Sequence, residues 1–512
     1  MKKSSTGNKA KTEQTPSMFA SLAVIIVMIA LILFSVIFFG GEVAEGPLQV
    51  SMTIATLFAL SIAYRYGFRG SLINQAISSS LNSVMGTIFV ILAIGTIIGT
   101  LYLTGTVANI IYYGVAIISP RFYYVTVFII ALALSMVLGS SLTTVGAVGV
   151  AFVGLASIMG VNPAITAGAA VSGAVIGDKT AKISDTLQLT IAMVGGVSVD
   201  EHSKTVMRTA IPVVIISLLI FLVLGLTGGT SATSVDPTQV QNVITQHYNI
   251  SLWAFLPIVL IFIFSALRFS AYMALMLPAL VAVVLAAFIQ HDLIVFLAAD
   301  PSLSYFEAVL KVGIETLAHG FHLNSGVEQL DAIFAGGGAT GMLTTIWLLL
   351  VAASFGAVMD YTGMLQQLIT PIINWAKGSV KLILTTMLSS LGLNLVTADP
   401  YVSIVLSGQM FREPYIKARL KPNLLSMSIA DSGSIFSNII PWNVHGAIFA
   451  ATLGLGTAVW APYTFAAYLT PVVTIIMVYI YYLRKGHIAD GVDAEQIYGT
   501  EPTTLPESTQ LA

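Results

Sequence analysis

The sequence predicts an all-α polytopic membrane protein of about ten to twelve transmembrane helices, built as two inverted-topology repeats that each carry a re-entrant hairpin. Three observations predict it. Hydrophobic residues make up 56% of the 512 and charged residues only 9%, with a mean hydropathy of +0.91; a soluble domain carries about 25% charged residues. What charge there is gathers in a few polar motifs set inside long apolar stretches. Two of those motifs occupy similar places in the two halves of the chain, and the loops around them differ in charge. The net charge of −2 offers no basic face to a phosphate backbone, which excludes a nucleic-acid partner, and the absence of Cys removes disulfides, thiolate metal sites and Cys nucleophiles.

Taken in order, residues 1–17 form a basic tail whose Lys2, Lys3, Lys9 and Lys11 assign it to the cytoplasm by the positive-inside bias. A first transmembrane helix spans 18–40, because the apolar run from Met18 to Phe39 is too long for a signal-peptide core. The acidic "GGEVAEGP" then lies outside, and Arg65 and Arg69 return the chain to the inside. The first repeat is expected over 48–227 and the second over 303–482. Between them, 228–302 supplies an extracellular loop and linking helices near 252–267 and 271–290. Arg484 and Lys485 bring the end back inside, ahead of a polar tail over 486–512. Both termini are therefore expected in the cytoplasm, around a cytoplasmic membrane of a bacterium or archaeon.

The repeat rests on a gapless comparison. An offset of 253 residues carries Leu138 to Leu391, Gly139 to Gly392, Leu142 to Leu395 and Thr144 to Thr397, and it brings Asp178 onto Asp431. Chance likeness between apolar segments competes with that reading, and loop charge argues against chance. "SIMGVNPA" from Ser157 is uncharged, while its counterpart "FREPYIKARLKP" is basic; past the motif, charged "VDEHSKTVMR" faces uncharged "GAIFAATLGLGTAVWAP". Equivalent loops on opposite sides of a membrane are the signature of inverted repeats, which place a transporter's site between the halves. Farther upstream "IIGTLYLTGTVANII" and "SFGAVMDYTGMLQQLI" match at a shifted offset. Segments Ile165–Ile176, Leu187–Val194 and Leu424–Ile429 are too short to cross a bilayer alone, so the polar motifs should sit at hairpin tips or helix breaks.

Charges at such depth cost about 3 kcal/mol each and need partners. Candidates are Asp178, Lys179, Lys182, Asp185, Asp399 and Asp431, with Asp360 as a lesser one. Asp178 and Lys182 stand four apart and Lys182 and Asp185 three apart, spacings that let them neutralise one another on one helix. Asp399 and Asp431 have no nearby Lys in sequence, so a bound cation or a proton is the expected counter-charge. Hydroxyls and amides accompany them: Ser184 and Thr186 in one half, Asn394, Thr397, Ser437 and Asn438 in the other. Hard oxygen ligands of this kind suit Na⁺, expected at Asp178, Ser184, Asp185 and Asp431. Exchange follows where one carboxylate takes either Na⁺ or H⁺. Among the histidines His445, just past "PWN", is the candidate worth testing, and "GGG" at Gly336 reads as close helix packing, since a P-loop Lys is missing.

These motifs also resemble a known family. "SGAVIGDKTAKISDTLQL" resembles the GDK…SDTTNLA signature of the NhaC-type Na⁺/H⁺ antiporters, and "GGGATGM", "NLVTADPY" and "LSMSIADSGSIFSNIIPWN" resemble their second half, over about Leu48 to Leu483. The resemblance implies a homodimer with a scaffold domain and a transport domain that moves as an elevator, and it carries Asp178, Asp185, Asp399 and Asp431 into the family's motifs. Lys179 and Lys182 would compensate charge. Where relatives read Met-Ser-Pro after GDK, this chain has Thr180-Ala181-Lys182, and Leu187-Gln188 replaces Thr-Asn. The expected function is Na⁺/H⁺ antiport, with no cofactor and Na⁺ as cargo. A Na⁺- or H⁺-coupled organic-anion exchanger of malate/lactate type is the alternative, in which Lys179 or Lys182 meets a substrate carboxylate. An intramembrane aspartyl protease would use facing carboxylates as acid and base, but it gives the repeat and the hydroxyls no role.

Overall fold

In lipid every backbone N–H must find its acceptor within its own segment, so long apolar runs fold as helices. The computed structural model describes residues 14–228, 237–323, 331, 334–376 and 378–485. Residues 1–13 of the expected N-terminal tail at 1–17, and the whole expected C-terminal tail at 486–512, lie outside the described residues. Among the described residues nine helices are long and apolar enough to cross a membrane, or ten if Val444–Leu453 and Thr457–Tyr463, bent by 89°, count as one span. The sequence reading set the number slightly higher because Thr106–Ile117, Leu252–Ala266 and Phe465–Ile480 are apolar but fall short in length. Both linking helices are present, as Leu256–Ala266 and Ala271–Ile289.

Two regions of core are distinct. Met18–Phe39, Pro47–Arg65 and Leu343–Tyr361 share one apolar cluster. Gly70–Leu103, Tyr123–Leu138, Pro163–Thr180 and Ala271–Ile289 contribute to another. A smaller cluster joins the halves, with Ala167, Val171 and Val175 packed beside Ile435, Phe449 and Trp460. Glycine makes the tightest contacts. Phe321–His322 pairs antiparallel with Ala335–Gly336, which runs on into Gly337 and Gly338, both at positive φ. A Cβ on Gly337 would stand 2.2 Å from the Gly99 nitrogen, which is the close packing that the glycine run called for.

The order of helices and breaks recurs along the chain, at an offset other than 253. Gly105 and Gly363, both at positive φ, precede Thr106–Ile117 and Met364–Trp375 and lie 258 residues apart. Gly139 and Ala398, both left-handed, stand 259 apart and are followed by the N-caps Ser140 and Asp399. The same 259 relates Pro163 to Pro422, the N-cap Ser184 to the N-cap Asn443, and Gly195 to Gly454. Asp185–Val194 and Val444–Leu453 each have 10 residues, and the helices after them hold Pro212 and Pro471, again 259 apart. By these landmarks the position matching Asp178 is Ser437, and the one matching Asp431 is Ser172. Identities at 253 were therefore six residues out of step with the backbone. Caps and breaks hold the register because backbone geometry dictates them, whereas small apolar residues match in many registers.

The arm that carries Asp178 packs tightly on its neighbour. A Cβ on Gly173 would approach the Phe128 carbonyl oxygen to 2.3 Å, and one on Gly177 the Leu132 carbonyl oxygen to 2.6 Å. Backbone cannot yield as a flexible side chain does. Gly177→Leu is expected to destabilise the protein by at least the about 1–3 kcal/mol of an overpacked core, seen as a lower melting temperature in detergent, while Gly341→Ala, with open space around it, leaves melting unchanged.

Candidate functional site

The first polar motif ends one helix and starts another. Pro163–Thr180 stops at Ala181, whose extended backbone begins a short break, and Ser184 then caps Asp185–Val194 by accepting the Leu187 N–H at 3.4 Å. Asp178 and Lys179 therefore lie in the last turn of one arm, at the tip of a pair of short helices. In the second half Pro422–Ile429 runs into a π-helical turn over Ala430–Ser434 that holds Asp431. Such a turn inserts a residue into the helical ladder and re-aims its side chains.

These turns bring the halves together through charge. Lys179 Nζ lies 2.6 Å from Asp431 Oδ1, and the two side chains are 6% and 0% exposed. The other Asp431 oxygen accepts a hydrogen bond from Thr474 Oγ1 at 2.6 Å, from the last described helix, Phe465–Lys485. This corrects the expectation that Asp431 has no lysine partner: the lysine is supplied by the opposite half, where linear spacing could not reveal it. A buried ion pair gains Coulomb energy only against the desolvation of both ions, and loss of one partner strands the other. The ammonium also makes no other hydrogen bond.

Asp178, half-buried, is held by hydroxyls. Its Oδ2 accepts from the Ser141 N–H at 3.0 Å and the Ser141 hydroxyl at 2.8 Å, and its Oδ1 accepts from Ser184 Oγ at 2.6 Å. Ser184 Oγ also lies 3.0 Å from Thr186 Oγ1. Lys182 does not pair with Asp178 or Asp185. Its ammonium meets Asp200 at 2.6 Å on the surface, both side chains more than 60% exposed (63% and 66%). The break at residues 181–184 ends the helix before Lys182, so the expected helical spacing never forms. Asp185, also exposed, faces a separate cavity of about 290 Å³ that Lys182, Gln188 and Arg268 help to line. The four expected Na⁺ ligands are thus divided: Asp178 and Ser184 in direct contact, Asp431 held by Lys179, Asp185 turned outward.

Asp399 is buried as a helix cap, its Oδ1 accepting from the Tyr401 and Val402 N–H groups at 2.7 and 3.1 Å. Thr397 donates to the Leu393 carbonyl, and Asn394 accepts at Oδ1 from Asn443. Ser437 donates to the Ser434 carbonyl and lies 3.3 Å from His445 Nδ1. Asn438 donates to the Ile435 carbonyl at 2.9 Å, and its own carbonyl oxygen is buried with no partner. That oxygen matters. Asn438 lines a small cavity with Asp178, Lys179, Ser141, Thr186 and His445, which takes walls from both halves. The space open to the centre of a water-sized sphere is about 10 Å³, room for one water or one bare ion. Asp360, the lesser candidate, lies exposed near the end of Leu343–Tyr361, outside this group.

Sequence reasoning missed Ser141, Thr474, Tyr401 and His202. Tyr401 stands 6.2 Å from the His445 ring and within electrostatic reach of Asp178, Asp185 and Asp399. His202, which charge alone placed in a loop, is fully buried 2.8 Å from Ser426 Oγ and within electrostatic reach of the Lys179–Asp431 pair. A single hydroxyl in an apolar helix carries no sequence signal. The cap residue that closes each break, Ser140 and Ser184 in the first half and Asp399 and Asn443 in the second, was the usable clue.

Comparison with known proteins now has a geometry to meet. The profile of the Na⁺/H⁺ antiporter family matches residues 2–226 and again 173–480. The chain is 31% identical over 470 residues to the Na⁺/H⁺ antiporter NhaC of Alkalihalophilus pseudofirmus, covering 92% of this chain and 95% of that protein. It is similar at 24% over 470 residues to the malate-2H⁺/Na⁺-lactate antiporter of Bacillus subtilis, with 92% and 96% covered. The arginine/ornithine antiporter ArcD of Halobacterium salinarum is 29% identical over 500 residues, with 97% and 96% covered. The chain belongs to the Na⁺/H⁺ antiporter family, a family of transporters.

The buried pair makes a thermodynamic prediction. Lys179→Met or Asp431→Asn alone is expected to cost about 3–5 kcal/mol of stability, because each leaves an uncompensated charge, whereas Lys179→Met with Asp431→Leu recovers most of it. Lys182→Ala should cost under about 1 kcal/mol, as for any exposed pair. Chemical or thermal unfolding of the four variants in one detergent checks the cycle.

Proposed function

We propose that this member of the Na⁺/H⁺ antiporter family exchanges Na⁺ for H⁺ across the cytoplasmic membrane, the two ions competing for buried carboxylates at the hairpin tips. The observation that carries the reading is the ion-sized cavity between the halves. It offers a carboxylate at Asp178, a hydroxyl at Thr186 and the unpartnered carbonyl of Asn438, a donor set that a hard monovalent cation matches and an anion does not. Lys179 borders the same space and neutralises Asp431, so of the two carboxylates at this cavity Asp178 is the one without a cationic partner, for Na⁺ or H⁺ to satisfy. A site that must be deprotonated to take a metal ion releases its proton on binding, which is exchange in its simplest form.

The proposal extends to transport by movement. The recurrence of breaks at 258–259 residues, with the opposed loop charges, supports two inverted repeats over about 48–227 and 303–482. The apolar cluster centred on Met18–Phe39, Pro47–Arg65 and Leu343–Tyr361, against which Leu393, Val396 and Ala447 of the second half also pack, is read here as a scaffold along which the hairpins move as an elevator in a homodimer. Cytoplasmic termini complete this reading.

A second reading has its own observation. The cavity of about 290 Å³ beside the first hairpin tip carries Arg268, Lys182 and Gln188 and has the size and charge to admit a small organic anion, as the malate/lactate antiporter's name would have it. Proteoliposomes separate the two. Antiport predicts that external Na⁺ collapses an imposed pH gradient with no organic acid present, and that Asp178→Asn and Asn438→Ala each lower that rate at least about tenfold, in line with loss of one charge-assisted ligand. Competition further predicts that apparent Na⁺ affinity falls as pH is lowered, measurable by calorimetry. If collapse requires malate or lactate, and Arg268→Gln abolishes it, the organic-anion reading replaces this one.

A further inference from the structure

A second cleft lies away from the ion cavity, between the Val199–Thr227 helix, the Pro422–Ile429 arm and the Phe465–Lys485 helix, with a volume of about 190 Å³. Its rim is basic, with Arg208 and Lys421, both exposed. Arg208 takes part in none of the ion pairs found among the described residues. Asn423 lines the cleft with its amide donating to Thr205 Oγ1 at 3.1 Å, which leaves a buried carbonyl oxygen with no donor. Lys421 is the N-cap of Pro422–Ile429, where Pro422 brings no N–H and the Leu424 N–H donates to the Lys421 carbonyl at 3.0 Å, so the helix start is closed on itself and the rim is defined by side chains. Deeper in, the wall turns apolar with Leu424, Met427, Met477 and Val478.

We propose that this cleft binds an anionic phospholipid whose headgroup bears both a phosphate and a hydroxyl donor. The phosphate has the forked Arg208 guanidinium and the Lys421 ammonium at the rim to meet, a combination that suits a phosphate better than a carboxylate point contact. The headgroup hydroxyl supplies the proton that Asn423 Oδ1 lacks. An acyl chain continues along the apolar wall and out over Ile211, Ile215 and Ile476, which are 52%, 52% and 51% exposed on the flanking helices. A soluble anion would leave that apolar wall wet. Basic clefts between spanning helices on the positively charged side of a membrane protein are where anionic headgroups bind. Thr474 closes the inner end of the cleft and holds Asp431, so an occupied cleft braces the helix that positions the buried pair. The site is independent of which ions are carried.

Purified full-length protein in detergent, probed by native mass spectrometry and thermal melting, tests this with phosphatidylglycerol, phosphatidylcholine and inorganic phosphate. Phosphatidylglycerol is expected to be retained and to raise the melting temperature. Phosphatidylcholine, which has no hydroxyl donor and no net charge, should bind about tenfold more weakly. Arg208→Gln, an exposed position whose loss leaves folding intact, should weaken phosphatidylglycerol about tenfold, and Asn423→Ala should narrow the preference over phosphatidylcholine. Equal binding of the two lipids, or indifference to both substitutions, overturns the proposal. Protection by inorganic phosphate alone to the same extent overturns it too, since the cleft would then be a small-anion site.

Discussion

One contact organises the interior: the Lys179 ammonium against the Asp431 carboxylate, closed off from water and shared between the two halves of the chain. Neither ion is stable alone at that depth, so each half is incomplete until the other docks. The rest of the tip region reads as support. Thr474 fixes the second Asp431 oxygen, the Gly173 and Gly177 contacts bring the Lys179-bearing arm against its neighbour, and the π-turn at Ala430–Ser434 aims Asp431 across the gap. With its partner occupied, Asp431 is not an open acid. Asp178, one residue from Lys179, has no cationic partner, and it accepts from the Ser141 N–H and from the Ser141 and Ser184 hydroxyls.

Much of this was legible in the sequence, for reasons that differ by level. The helical, membrane-spanning class followed from composition, because lipid leaves the backbone so few options. The polar motifs were legible as places where helices break, since Ser184, Asp399 and Asn443 are strong cap residues and the structure uses each as one. What linear spacing could not give was contact across the halves. The helical spacing that joins Lys182 to its neighbours on paper fails because the chain leaves the helix at Ala181, and the lysine that matters most, Lys179, pairs 252 residues away. The register of the repeat went astray for a related reason: apolar identities are cheap to match, while a left-handed residue followed by a cap is imposed by geometry and recurs at Gly139 and Ala398.

Asp399 shows how one residue type in one motif serves different ends. It satisfies two backbone N–H groups at a helix start, where a carboxylate is stabilised by the helix dipole without any bound ion. Ser140, at the matching landmark in the first half, does the same with an uncharged oxygen toward the Thr143 N–H. The charge at Asp399 is therefore more than the cap alone needs. Its neighbour Tyr401 packs edge-on toward the His445 ring, which lines the cavity beside Asp178, so Asp399 is a charged cap two residues from that wall.

Lys182, the departure from the signature that the sequence resembles, bears on the choice of cargo through position. A lysine beside the ion cavity would repel Na⁺ and favour an anion. The side chain at 182 instead leaves the tip for Asp200, in solvent, where a pair is screened and contributes little. Its field at Asp178 is thus largely cancelled by Asp200 and by water. Lys179, the cation that does border the cavity, is already neutralised by Asp431 at 2.6 Å. With both lysines matched one-to-one by carboxylates, the carboxylate at the buried cavity without a cationic partner is Asp178, and that negative sign is what the proposed cation site rests on, whatever the wider vestibule outside it receives.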